Sequence, residues 1–467
     1  MSLERILRSS ALTGGAQVIL LAAGFLRAKA IALIFGAAGV GLIGLFNAFG
    51  GNIASLAGWG LGTSGVRLIA GAPPDAQPAK IAAVRRMGWS LSMVGLVLAL
   101  IAFWPVSAAT FASNQYATEM AIIALAIPCL IASTSWTAIL QATGRIESLA
   151  KVQVVSALAG LLFGLPLIYL YGSIGIAISI LLAAAVPAAA LWRAAAECSP
   201  ASSSSVKVED LHHLIKIGGA LMVVGWLGQL SAYFVRLAIV RQEGLEASGY
   251  FQAAYAISGS LPGFVFAAMG SDFFPRVAAA RTEIAAKVAT ENQIKAGLLL
   301  GVPMIVTLLA AGALSVRLLY ADGFDAATPL LRWMTWGVFV RLFSWPLAFW
   351  LLARGSGKAV MIVEGAAALL TTLLSVILLQ THELEGCVVG LLLGQVGHFL
   401  LLLLVVRRRA GLWLSAEAFL WIVCSTVVCF AAQGLGQALG GGAWGLIPAA
   451  LSMVVSVTIY LIIKEKP

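Results

Sequence analysis

Along the chain, apolar stretches of about 20 residues, the length a helix needs to cross a bilayer, alternate with short polar breaks. Fourteen can be read: 12–36, 39–69, 85–108, 119–142, 150–170, 173–195, 213–240, 247–272, 294–319, 327–353, 358–380, 385–407, 414–437 and 443–463. A membrane barrel would instead show shorter segments of alternating hydrophobicity. The pattern predicts an all-α polytopic membrane protein. The second stretch is long and dense in Gly and is expected to bend or become partly irregular.

Composition agrees, with 61% hydrophobic and 10% charged residues and a mean hydropathy of +0.99. A soluble domain is nearer a quarter charged. The net charge of +10 is mostly a topology signal, with some attraction to anionic lipid, and implies no nucleic acid. Lys and Arg gather in alternate connections: Lys80, Arg85 and Arg86; Arg145 and Lys151; Lys207 and Lys216; Arg276, Arg281, Lys287 and Lys295; Arg354 and Lys358; Arg407 to Arg409. The intervening loops hold almost none, so both termini are expected in the cytoplasm. An A-x-A-like site at Ala28–Ala30 would suit a cleaved signal peptide, but the charges inside the first stretch argue against one.

Several chemistries are set aside. The five cysteines form no C-x-x-C pair and the histidines no cluster, so no metal site and no cofactor are expected. Residues 60–65, GLGTSG, match a dinucleotide fingerprint but lie within a span without its strand context, and RGSGK at 354–358 lacks the upstream Gly and following hydroxyl of a phosphate loop. No connection is long enough for a soluble domain, and no outer loop gathers the acids and bases of an enzyme. Transport is the expected class.

An internal repeat supports this. FGAAGVGLIGLFNAFG from Phe35 and EGLEASGYFQAAYAIS from Glu243 share G-x-x-x-x-G at an offset of 208; AILQATG from Ala138 and FWLLARG from Phe349 align at 211. Spans 1 to 6 and 7 to 12 therefore read as copies in the same orientation, with a substrate path expected between them. The expected division is a lobe at 1–198, a cytoplasmic linker at 199–212, a second lobe at 213–409 and an extra helix pair at 410–467.

Six basic residues fall within spans: Arg27, Lys29, Arg67, Arg236, Arg332 and Arg341. A charge at the bilayer centre costs roughly 2.5–3.5 kcal/mol on insertion scales, and buried acids are scarce, Glu364 being the clearest. The excess implies a hydrated cationic cavity for an anion, and guanidinium groups suit a diphosphate. Arg27 and Lys29 point roughly 200° apart, so one of them, here Arg27, is expected to face the cavity. Arg341 is the deepest candidate, with a structural pair to Glu364 as its rival. Arg67 and Arg332 lie near span ends, where snorkelling is the competing role. Trp345, one turn from Arg341 and beside Pro346, is a candidate for stacking on sugar; Trp333, Trp336 and Trp350 are expected in the interfacial belt. Glu364 and Asp272 are candidates for ion coupling, Asp272 alternatively partnering Arg276.

The stretches 249–279 (GYFQAAYAISGSLPGFVFAAMGSDFFPRVAA), 291–293 (ENQ), 318–333 (LLYADGFDAATPLLRW) and 341–358 (RLFSWPLAFWLLARGSGK), with weaker likeness at IFGAAGVGL and LQATGRIESLA, resemble the Wzx-type O-antigen and enterobacterial common antigen translocases. Those share a superfamily with the lipid II flippases and the multidrug and toxin extruders. The resemblance implies two six-helix lobes in a V in the bacterial inner membrane, moving an undecaprenyl-diphosphate-linked oligosaccharide between leaflets. Other polysaccharide assembly proteins are possible partners. Most members have twelve spans, so the last two helices depart from the pattern and could form a groove for the lipid tail or pack outside. A drug or cation antiporter and a membrane-embedded polysaccharide polymerase or ligase remain as alternatives.

Overall fold

The computed structural model describes residues 3–198, 208–354, 357–411, 414–438, 440 and 443–464. Much of the expected linker, Gly355 and Ser356 of RGSGK, and the Asp272 side chain lie outside what it describes. The helices are α1 (Leu3–Ala57), α2 (Leu61–Ala70), α3 (Gln77–Phe111), α4 (Ala117–Ala142), α5 (Ile146–Ala196), α6 (Val208–Ala279), α7 (Glu283–Ala310), α8 (Gly312–Leu319), α9 (Ala327–Ala353), α10 (Gly357–Ala410), α11 (Ala416–Ala438) and α12 (Leu446–Lys464). Among the described residues nine are long and apolar enough to cross a membrane. This is an all-α, multi-pass membrane protein.

Four of the nine apolar stretches run for 39 to 53 residues, enough for two crossings each. Each of these four is interrupted by non-helical backbone: at Gly36 in α1, Gly172 in α5, Gly244 in α6, and His382–Glu383 in α10. At two of them the chain doubles back. An added Cβ on Gly175 would stand 2.0 Å from the Leu167 carbonyl oxygen, and one on Gly390 would stand 2.5 Å from Ser375 Cα. The interruptions recur at the offsets of the sequence repeat: Gly36 to Gly244 is 208, and Gly172 to Glu383 is 211. Gly tolerates the positive φ required, 62°, 60° and 85° at the first three; Glu383 adopts 54° with a side chain in place.

By contact the chain forms two compact units, Met1–Leu245 and Glu246–Pro467. In the first, small residues let helices approach closely. Gly88 and Gly95, two turns apart on α3, sit against Ser135 and Ile131 of α4, and Ser92 between them donates to the Pro128 carbonyl at 3.2 Å. The second span is broken as expected: α1 ends at Ala57, Trp59 and Gly60 take φ of 50° and 62°, and α2 continues.

Residues 208–212 were expected in the linker and 213–245 in the second lobe; all of 208–245 fall in the first unit and pack with it along their length. Lys80 pairs with Asp210, and Trp59 Nε1 donates to the Ile215 carbonyl at 3.0 Å. Gly60 meets Gly218 backbone to backbone, and Asn52 reaches the Gln229 carbonyl at 3.3 Å. Tyr233 and Thr110 share a hydrogen bond of 2.6 Å, and Arg241 Nε caps the last turn of α3 through the Ala109 carbonyl at 2.7 Å. The contact division thus falls beside the Gly244 interruption.

The second unit packs α7, α9 and α11 around Ile294, Leu298, Ile305, Leu309, Phe339 and Leu342, with Cys429 and Ala449 from the last helices. Within α10, G-L-L-L-G at 390–394 lays Gly390 on Ser375 and Gly394 on Thr371, the close approach this spacing permits. The C-terminal pair is bound to α7 by several ties. Glu291 accepts from the Ser415 N–H at 2.7 Å, capping α11; Lys295 meets Glu417 at 2.7 Å; Gly436 and Gly445 lie on the Ala310 backbone. Trp336 of α9 donates to Gln433 at 2.7 Å. Trp336 and Trp350 are therefore buried packing residues and not belt anchors, while Trp333 is exposed.

Candidate functional site

Arg27 in the first unit and Arg341 in the second lie deep in spans with no carboxylate at ion-pair distance among the described residues. In the first unit, Arg27 lies nine residues before Gly36, about 14 Å of rise from that end. Its Nη2 donates to Ser179 Oγ at 2.6 Å, from the second half of α5, and Ser179 in turn donates to the Ile176 carbonyl at 2.7 Å. That second bond turns an oxygen lone pair toward the guanidinium. Arg27 Nε is buried without a partner. The cation therefore meets a neutral hydroxyl and retains donor capacity.

In the second unit, Arg341 stands fourteen residues from Ala327 and twelve from Ala353, so about 18–21 Å of helix separates it from either end. It is exposed, and its Cζ lies 5.5 Å from the Phe266 ring centroid. A cation over an aromatic face is favourable but leaves the charge and most donors open. Trp345, one turn on, stacks on Phe349 at 3.9 Å and 25° and tilts against Phe266 and Phe273, each 6.3 Å away. The result is an aromatic wall beside a free guanidinium, with Pro346 in the same turn.

The rival pairing of Arg341 with Glu364 is not formed. Glu364 Oε1 instead lies 3.2 Å from His398 Nε2, both partly buried, one on each half of α10. The contact is close enough for charge attraction but is not aligned as a hydrogen bond. Sequence reasoning gave His398 no neighbour. The register of the α10 halves about His382–Glu383, set by Gly390 on Ser375 and Gly394 on Thr371, brings the two together.

The other basic candidates are placed differently. Arg236 is buried in the first unit, and its Nη1 donates to the Ala232 carbonyl of its own helix at 3.0 Å. Lys29 is half-buried, Arg67 is exposed in the last turn of α2, and Arg332 is half-buried near the start of α9. Arg276 donates to Gln293 at 3.0 Å. Thus ENQ serves packing: its Glu caps α11 and its Gln holds Arg276.

Similarity to known proteins sets these features in context. The chain is similar in structure to a lipid II flippase, MurJ, in an inward closed conformation, at 15% identity and a TM-score of 0.73, covering 97% of this chain and 98% of that one. It is also similar to a multidrug resistance MATE family transporter of the MOP superfamily in an inward-facing conformation, at 18% identity and a TM-score of 0.60, covering 85% and 94%. A third likeness is to a MOP superfamily transporter from Pyrococcus furiosus described by a reversed polarity of its binding pocket, at 16% identity and a TM-score of 0.58, covering 86% and 95%. At these identities the likeness is one of fold. No curated protein sequence matches the chain. Residues 36–329, more than half of the chain, match the model of a family described as polysaccharide biosynthesis protein, and the chain belongs to that family.

Proposed function

We propose that the protein is a flippase and not an enzyme, carrying an undecaprenyl-diphosphate-linked oligosaccharide across the bacterial inner membrane by alternating access. Family membership supplies the polysaccharide context, and the shared fold is one used for carrying lipid-linked and other cargo. The observation that carries the reading is Arg341: exposed at mid-depth, beside an aromatic wall and without an acid among the described residues. Such a group needs water or an anion, and its planar fork matches phosphate oxygens. Trp345 and its aromatic neighbours offer faces for sugar. Arg27, with Arg236, Lys29 and Arg67 as further cations, takes the same role in the first unit, and Arg332 is auxiliary in the second. A drug cation would call for a carboxylate where Arg341 stands.

Glu364, partly buried and 3.2 Å from His398 across the halves of α10, is the proposed ion-coupling residue. The test of the cargo reading is leaflet transfer of a defined lipid-linked oligosaccharide in vesicles. Arg341→Ala should lower transfer at least tenfold at unchanged insertion, and Arg341→Lys should recover only part, because the bidentate fork is lost. Full transfer by Arg341→Ala would remove the basis of the proposal.

A further inference from the structure

Two helices of the first unit carry polar, unpartnered side chains at mid-depth. On the second half of α1, Asn47, Gly51 and Ser55 stand at i, i+4 and i+8, on one face. Asn47 lies eleven residues past Gly36, about 16 Å of rise, in a bilayer whose hydrocarbon is about 30 Å thick. On α6, Gly225, Gly228 and Gln229 share a face, and Gln229 lies fifteen residues before Gly244, about 22 Å of rise. Both stretches are among those apolar enough to cross a membrane. Asn47 and Gln229 are exposed, and neither side-chain amide has a hydrogen-bond partner among the described residues. Asn52 joins the two helices at this level. Its Nδ2 donates to the Ala48 carbonyl at 2.9 Å and to the Gln229 carbonyl at 3.3 Å, while its Oδ1 is buried without a partner. A Cβ added at Gly51 would stand 4.0 Å from Gln229 Nε2, so the two faces adjoin.

Neither ordinary role accounts for these faces. Glycines on a spanning helix commonly admit a neighbouring helix, yet nothing stands within 4 Å of a Cβ added at Gly225 or Gly228. A lipid-facing surface would strand both amides in hydrocarbon, where a polar group without a hydrogen bond is strongly disfavoured. Phe234, exposed on the same helix about 140° around from Gln229, is the kind of residue lipid contact calls for. What remains is water or a polar ligand. The two faces carry no charge, so they are not built for the diphosphate. An amide both donates and accepts, as do the hydroxyl and acetamido groups of a saccharide, and the glycines leave room for a sugar ring to approach the backbone.

We propose that Asn47, Asn52 and Gln229 form a sugar-reading surface in the first unit, hydrogen-bonding the neutral hydroxyl and acetamido groups of the oligosaccharide and so selecting the glycan, an inference that rests on the flippase reading. The test has two arms. In the first, membranes holding the full chain are treated with a membrane-impermeant maleimide, the unsubstituted chain giving the background of its own cysteines. Asn47→Cys and Gln229→Cys should label above that background and Phe234→Cys should not; failure of both amide positions to label would place them in lipid and overturn the proposal. The second arm measures transfer in vesicles, comparing undecaprenyl diphosphate that carries an oligosaccharide with bare undecaprenyl diphosphate. Asn47→Leu and Gln229→Leu should each raise KM for the glycan-bearing lipid, relative to the bare one, by about threefold to tenfold, the worth of one hydrogen bond. Asn47→Gln and Gln229→Asn keep an amide and should recover part of that loss, and thermal unfolding verifies that the variants are folded. An unchanged KM ratio in both Leu variants overturns the sugar contact while the diphosphate reading stands, as does a native protein that treats the two lipids alike. If the native protein transfers neither lipid, the flippase reading falls and the sugar contact with it, whatever the labelling shows.

Discussion

Glu383 invites a substitution whose effect can be worked from backbone geometry. It adopts φ 54° and ψ −151° at the interruption between the halves of α10, a combination that only Gly occupies readily. At the repeat-related site, 211 residues earlier, Gly172 adopts φ 60° and ψ −131°. The second half of the chain therefore makes the same reversal with a side chain in place. Such a conformation costs about 1–3 kcal/mol. Replacement by Gly relieves that strain but adds about 0.4–1 kcal/mol of unfolded-chain entropy. Glu383 is exposed, so its removal sacrifices no core packing. Glu383→Gly should thus stabilise by about 1 kcal/mol, raising the midpoint of thermal unfolding by about 2–4 °C for a cooperative unit of roughly 200 residues. Gly172→Ala should move the midpoint down by a similar amount. Both are measurable by thermal unfolding of the detergent-solubilised protein. If Glu383→Gly melts at or below the native value while Gly172→Ala is silent, the two reversals are not strained in the way their dihedrals imply.

Two further outcomes follow from the second unit. Gly436→Leu would drive a Cβ to 2.5 Å from Ala310 Cα, where backbone cannot yield; overpacking of this kind costs about 1–3 kcal/mol. It should lower the unfolding midpoint and open the α7 to α11 contact to limited proteolysis, whereas Gly434→Ala, with open space, should not. Glu364→Gln should leave some lipid transfer in vesicles without a gradient but remove its acceleration by an imposed proton gradient; unchanged acceleration would exclude the Glu364–His398 pair from coupling.

The span pattern was legible because burying backbone in lipid demands long apolar helices, and that demand is written in composition alone. The bend of the second span was legible from its glycines, and the repeat offsets of 208 and 211 reappear at the helix interruptions. Side-chain partnerships were not legible. Arg27 and Ser179 are 152 residues apart, and Glu364 meets His398 only through the register of α10. Trp336 is buried because α7, α9 and α11 pack around it, and Trp350 is buried beside α7 and α10, whereas amphipathic aromatics near span ends read by sequence as interfacial. The packing of residues 208–245 with the first unit was equally hidden, since it rests on single contacts such as Gly60 on Gly218 that no periodicity announces.

The distribution of charge itself argues for an anionic cargo. Toward helix ends and in connections, cations meet acids: Lys80 with Asp210, Arg145 with Glu197, Lys295 with Glu417, Arg317 with Asp325 and Arg354 with Glu283. Apart from Lys80–Asp210, whose carboxylate is buried, these pairs are partly or fully exposed and contribute little to stability, so their value lies in neutralising charge where water and lipid headgroups would do it almost as well. At mid-depth, where neutralisation matters most, the sequence supplies Arg27 with a serine and Arg341 with a phenylalanine. A chain selected only to insert and pack would have reversed that allocation or used no charge there at all. Guanidinium groups held at depth with neutral neighbours retain their affinity for an anion that arrives, crosses and leaves, whereas a resident carboxylate would compete with it at every step.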